Sequence, residues 1–159
     1  MTAKQNPIGL SFINEKTEEL NKQKKFYFDK EKDEFIFYYP TFSQSKKDEL
    51  FVELIETIDE YQKKNIAFLA NDFELIRYTE FLIFKHFSSL KDELDGQSYE
   101  IHKETADKMY ATGLHRVFKE LIFDEQEINK VIEQLYSISE LAEKMLVEFN
   151  KHNEEQTAQ

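Results

Sequence analysis

A chain of 159 residues with 40% hydrophobic and 33% charged residues lies in the globular range, and one domain of this size buries enough surface to fold without a metal or disulfide. It has no cysteine, which excludes disulfides, thiolate chemistry and a Cys-based zinc site. The formal net charge of −11, with arginine only at Arg77 and Arg116, disfavours nucleic-acid and anionic-membrane binding, because phosphate contacts need clustered basic side chains.

The opening residues, MTAKQNPIGLSFINEK, lack the apolar centre of a signal peptide. The most apolar run, Phe81 to Phe87, contains Lys85 and His86 and falls far short of the ~20 residues that span a bilayer. The expected location is the cytoplasm. Residues 1–23 form a polar N-terminal segment broken at Asn6-Pro7 and Gly9, in which INEKTEELNKQ has a weak helical pattern. A single globular domain is expected over residues 24–150, followed by a polar tail over 151–159.

The domain opens with two aromatic-rich runs, Lys25 to Asp29 and Glu34 to Tyr39, on either side of the charged turn KEKD. This predicts a β-hairpin, ended by Pro40, which cannot donate to a ladder. Ser45 with Asp48 predicts the start of an amphipathic helix whose stripe is Phe51, Leu54, Ile55, Ile58 and Tyr61. Asn71 with Glu74 opens a second helix, apolar around nearly its whole circumference, which predicts burial at the centre of the fold. After a polar connection and a turn at Asp95-Gly96, SYEIHKETADKMYATG predicts a helix stopped by Gly113, and LHRVFKELI a further short one. Asp124 with Glu127 caps the last and longest helix, over residues 125–150. The predicted class is mostly α with a small β part: a bundle of four to five helices with one N-terminal aromatic β-hairpin.

Two features point to protein–protein contact. Rings crowd the hairpin, and they read either as one wall of the core or as a platform on which alternate rings such as Phe28 or Tyr38 stay exposed for a partner. The last helix carries a heptad seam of Ile128, Val131, Leu135, Ile138, Ala142, Met145 and Phe149, which suits either packing within the chain or an oligomer or partner helix.

Motifs for chemistry are absent. Glycine occurs only at 9, 96 and 113, too few and too scattered for a phosphate-cradling loop or a nucleophile elbow. A calcium loop around Gly96 fails at both ends, with Lys91 where the first acid belongs and His102 where the bidentate Glu belongs. Two Ser-x-x-Lys matches, Ser43 to Lys46 and Ser88 to Lys91, lack the companion motifs of penicillin-binding enzymes. His86, His102, His115 and His152 are scattered, and His86 reads as a hydrogen-bonded core histidine. Glu53, Glu56, Asp59 and Glu60 fall mostly off the apolar stripe, as residues of a solvated face do. No catalytic residue, cofactor or metal is implied, and the chain reads as a non-enzyme.

The segments ELIRYTEFLIFKHFSSL (Glu74 to Leu90) and MYATGLHRVFKELIFDEQEINKVIEQ (Met109 to Gln134) carry a resemblance. Over roughly 60 residues the chain resembles small helical proteins of the tail-morphogenesis region in phages and prophages of Gram-positive bacteria, particularly tail-assembly chaperones. The matching inter-helix turn is Gly113-Leu114. The resemblance implies a non-enzymatic assembly factor that binds a phage structural protein such as the tape-measure protein, with self-association expected. The alternative is a small acidic phage inhibitor of a host enzyme, a DNA mimic being one form of it, motivated by the net charge. An enzyme whose carboxylate site assembles only in three dimensions is the third reading.

Overall fold

The computed structural model of the chain describes residues 8–64 and 72–140, and it is mostly helical with a small β part. A first helix, α1 (Leu10–Leu20), precedes an antiparallel hairpin of β1 (Lys24–Asp29) and β2 (Glu34–Tyr38). The pairing runs from Lys24 opposite Tyr38 to Asp29 opposite Glu34, with a bulge between Tyr27 and Asp29. The turn is built as the sequence predicts: the Asp29 carboxylate accepts the Glu31 and Lys32 amides at 2.9 and 3.3 Å, and Asp33 adopts φ 54°.

The outer edge of β2 is closed by the chain itself. The Ser89 amide donates to the Phe37 carbonyl at 2.8 Å and the Tyr39 amide to the Phe87 carbonyl at 2.9 Å. The hairpin is thereby sewn to the end of α3 (Asp72–His86), the central helix. Every residue from Tyr78 to Ser88 is buried, as a helix apolar on all sides requires.

The N-cap of α2 (Gln44–Lys63) is Ser43, two residues before the predicted Ser45. Its buried face is Leu50, Phe51, Leu54, Thr57 and Tyr61, while the predicted stripe residue Ile55 is exposed. The polar connection after α3 contains a short helix, α4 (Leu90–Leu94), that the sequence reading leaves as loop. α5 (Tyr99–Thr112) ends at Gly113 with φ 77°, the left-handed stop expected there.

α6 (Leu114–Val117) runs into a single π turn (Phe118–Ile122), closed by the Phe123 amide on the Phe118 carbonyl at 2.9 Å. The extra residue turns Phe118, Ile122 and Phe123 inward and leaves Leu121 exposed. α7 is described over residues 125–140. Asp124 caps it through the Gln126 amide at 2.8 Å. The expected reciprocal bond from Glu127 goes elsewhere: its carboxylate accepts the Phe42 amide at 2.9 Å, across 85 residues of sequence.

Aromatic rings join these layers. Phe42 stacks on Phe87 at 3.7 Å and meets Phe123 edge-on at 5.3 Å, and Phe84 stacks on Phe118 at 4.9 Å. No helix among the described residues is long and apolar enough to cross a membrane.

Candidate functional site

The two faces of the hairpin differ because side chains alternate along a strand. Phe26, Ile36 and Tyr38 point at the core, and Ile36 is the one fully buried strand residue. The opposite face carries Lys25, Tyr27, Phe35 and Phe37, whose rings remain 37%, 37% and 40% exposed. Tyr27 and Phe35 lie 5.8 Å apart between centroids, and Phe35 and Phe37 meet edge-on at 5.3 Å. The Lys25 ammonium lies 3.4 Å from the Phe35 centroid and 4.5 Å from that of Tyr27, with the Asp33 carboxylate at 3.7 Å. Its charge sits against the negative ring faces, so the rings are held in one arrangement in water. Three partly exposed rings around a cation form an aromatic patch on the outer face of the hairpin.

α1 is a second exposed element. None of its residues is buried; Leu10 is 79% and Ile13 53% exposed, with Phe12 and Leu20 also open. Leu10, Ile13 and Leu20 share one side of the helix with Thr17, Phe12 lies off it, and Glu15, Glu18 and Glu19 occupy the opposite side.

The residues singled out in the sequence divide as follows. Phe28 is exposed at the turn end of the hairpin, its ring 6.4 Å from Phe118. Tyr38 is placed on the core side instead, half-buried with its ring edge-on to Phe123 at 6.0 Å. Ile128, Val131 and Leu135 are buried in the chain's own core, and Ile138 is half-buried against it. Met145 and Phe149 lie outside the described residues. The seam over 128–138 therefore takes the intramolecular option. The rings the reading passed over are Tyr27, Phe35 and Phe37. Their signal was present: in EFIFY the aliphatic Ile36 marks the buried phase, so its ring neighbours face out.

Beneath the surface lies a charge cluster that periodicity hides. Glu53 projects from α2 into the junction with α3 and α5. Its carboxylate accepts Lys85 at 2.8 and 2.9 Å and His86 Nε2 at 2.7 Å, with His102 Nδ1 at 3.3 Å. His102 Nε2 donates to the Leu94 carbonyl at 2.9 Å. Burial alone raises the pKa of Glu53, but the bonds from His102, His86 and Lys85 outweigh it and hold the carboxyl well below the usual range. The cluster forms the floor of a cleft of about 710 Å³ along α2. A carboxylate already engaged by three donor side chains is poorly placed to take a proton from a substrate. Among the described residues no group of acids and histidines is arranged to hold a metal ion.

Another acid, Glu80, is buried and accepts the Tyr110 hydroxyl and Lys119 Nζ, the latter at 2.6 Å. The Tyr110 ring packs against the Arg77 guanidinium and the His115 ring, each 4.2 Å away. Both clusters tie helices together.

Comparison with known proteins gives one match. The family model described as YomO matches residues 10–159, which takes in α1 and the hairpin as well as the roughly 60 residues that carry the tail-chaperone resemblance. No curated protein and no solved structure matches the chain.

Proposed function

The chain belongs to the YomO family, a match consistent with a phage protein, and from that premise we propose that it is a non-enzymatic assembly factor. It binds another phage structural protein, in the manner of a tail-assembly chaperone, through the outward ring face of the hairpin and the apolar side of α1. The observation that carries this reading is the exposed Tyr27, Phe35 and Phe37 cluster ordered around Lys25, since rings left in water without a partner are costly in a small domain. The Glu53 cluster, with its carboxylate engaged by Lys85, His86 and His102, supports a structural rather than a catalytic use of this half-buried acid.

The test is a tagged pull-down from phage-producing cells, wild type beside the Phe35→Ser, Phe37→Ser double variant, with bound proteins identified by mass spectrometry. A long virion protein recovered by the wild type and lost in the variant is the expected result. The two rings are partly in water but meet each other edge-on and pack on Lys25, so a cost of roughly 1–3 kcal/mol is expected, and circular dichroism checks that the double variant stays folded. Equal recovery by the two proteins refutes the ring face as the contact.

A second reading is favoured by the exposed acids Asp48, Glu49, Glu56 and Glu60 along one side of α2: an acidic inhibitor of a host enzyme. Recovery of a nuclease or polymerase, released by salt, would select it.

A further inference from the structure

The two edges of the hairpin differ. β2 spends its outward backbone groups within the chain: the Phe37 carbonyl accepts the Ser89 amide at 2.8 Å, and the Phe37 amide donates to Ser89 Oγ at 3.3 Å. Backbone groups along a strand alternate between its two sides, so Phe37 has none left for β1. Lys25, the residue opposite Phe37, therefore turns its own amide and carbonyl away from β2, and Tyr27, opposite Phe35, does the same. Among the described residues the sheet has two strands, so β1 is an edge, and no backbone group outside the hairpin bonds to Lys25 or Tyr27. These outward groups are left to water.

We propose that this edge takes an extended, acidic segment of the partner protein as a third strand. The proposal rests on the assembly role above and adds how the partner is held. Side chains of the incoming strand that lie opposite Lys25 and Tyr27 stand on the outward face, beside the Tyr27, Phe35 and Phe37 rings. The segment thus gains backbone bonds from the edge and apolar contact from the ring face, the two components of recognition by strand addition. The bulge between Tyr27 and Asp29 ends the regular edge, so the ladder is short and the contact reversible.

Charge names the occupant. From Lys22 to Lys32 the chain holds five lysines and two acids, within a molecule of net charge −11. Lys25 pairs with Asp33 at 3.7 Å and Lys32 with Asp29 at 3.4 Å, whereas Lys22 and Lys24 make no ion pair with a described residue. Lysine on an edge strand works against self-pairing, so a second copy of β1 is a poor occupant. The same charges draw a strand that carries acids at the Lys22–Lys24 end and an apolar side chain at Tyr27.

The experiment compares Lys25→Pro with Lys25→Ala in the full chain. Both lose the lysine from the rings, and only proline loses the outward amide. An edge strand tolerates proline where the N–H faces away from the sheet, and circular dichroism checks the fold. The probe is an array of synthetic peptides tiling the structural proteins of the phage that carries the gene, with affinities then measured by fluorescence anisotropy. The expected result is that the natural chain and Lys25→Ala bind acidic, extended peptides and that Lys25→Pro binds them about tenfold more weakly. In the natural chain the Lys25 and Tyr27 amides exchange rapidly with deuterium and slow by about tenfold or more with peptide bound, while the Phe26 amide, already in the ladder, is slow throughout. Equal affinity of the proline and alanine variants overturns the inference, as does an array that binds nothing or only basic peptides. Lys25 and Tyr27 amides as protected as Phe26 in the free chain overturn it with no variant needed, so the test holds even where proline disturbs the hairpin. The assembly role fails separately, when the pull-down recovers no virion protein. Recovery of the same virion protein by Lys25→Pro and Lys25→Ala alike sinks the added strand alone.

Discussion

Replacing Glu53 by Gln tests the internal support of the fold most directly. The substitution keeps the side-chain shape but removes the charge that faces Lys85, His86 and His102. Lys85 is only 3% exposed, so its ammonium is left in a poor solvent, with Asp95 at 3.3 Å as its remaining acid. Breaking a buried ion pair from one side costs about 3–5 kcal/mol, and the surviving Asp95 contact together with the partial exposure of Glu53 brings the expectation to roughly 2–4 kcal/mol. For a chain of this length that lowers Tm by roughly 5–15 °C, measured by circular dichroism at pH 7. The pH dependence has a definite sign. The folded carboxyl titrates below its unfolded value of ~4.3, so its contribution is complete above that pH and lost as pH falls through the folded value. The gap between wild type and variant should therefore narrow below about pH 4.5, by up to ~1.4 kcal/mol per unit. A variant within 1 °C of wild type at pH 7, on the order of measurement error against the ~2–4 °C expected per kcal/mol, refutes the reasoning. A gap that stays constant down to about pH 3 does so equally, because linkage then fails.

Three further outcomes are expected. Gly113→Ala places a side chain at φ 77°, where nothing lies within 4 Å; the backbone alone sets the cost, about 1–2 kcal/mol by chemical denaturation. Phe42→Ala removes a ring stacked on Phe87 and edge-on to Phe123, and is expected to cost about 3–5 kcal/mol in the same assay. Ile138→Asp buries a charge against the core and should lower Tm by several degrees, roughly 2 °C or more per kcal/mol lost; unchanged Tm with a changed oligomeric state would return the seam to the surface.

Much of the local structure could be read directly. The hairpin, the buried α3, the stop at Gly113 and the cap at Asp124 all stand where periodicity and breaker residues put them. These are short-range effects, settled by alternation, left-handed glycine and side-chain capping within a few residues. α4 escaped because five residues, LKDEL, are too few to show a period, and its place depends on Leu94 reaching the core. The π turn escaped for a related reason. In LHRVFKELI an ordinary helix would keep Leu121 with Leu114 and Val117, and the inserted residue moves Phe123 inward instead.

What the amino-acid sequence determined by itself was the set of elements and which residues within each share a face. Which way each face points was a tertiary decision. Phe35 and Phe37 share a side of β2, but only the packing of Ile36 and Tyr38 on the helices turned that side to water. Ile128, Val131 and Leu135 form a seam in any setting, and the core's unfilled side drew it inward. Glu53 shows the limit most sharply. In sequence it is one of many helical acids, and its partners lie 32, 33 and 49 positions away. Periodicity reports relations within one element, whereas burial and charge pairing depend on the surface that another element brings against it.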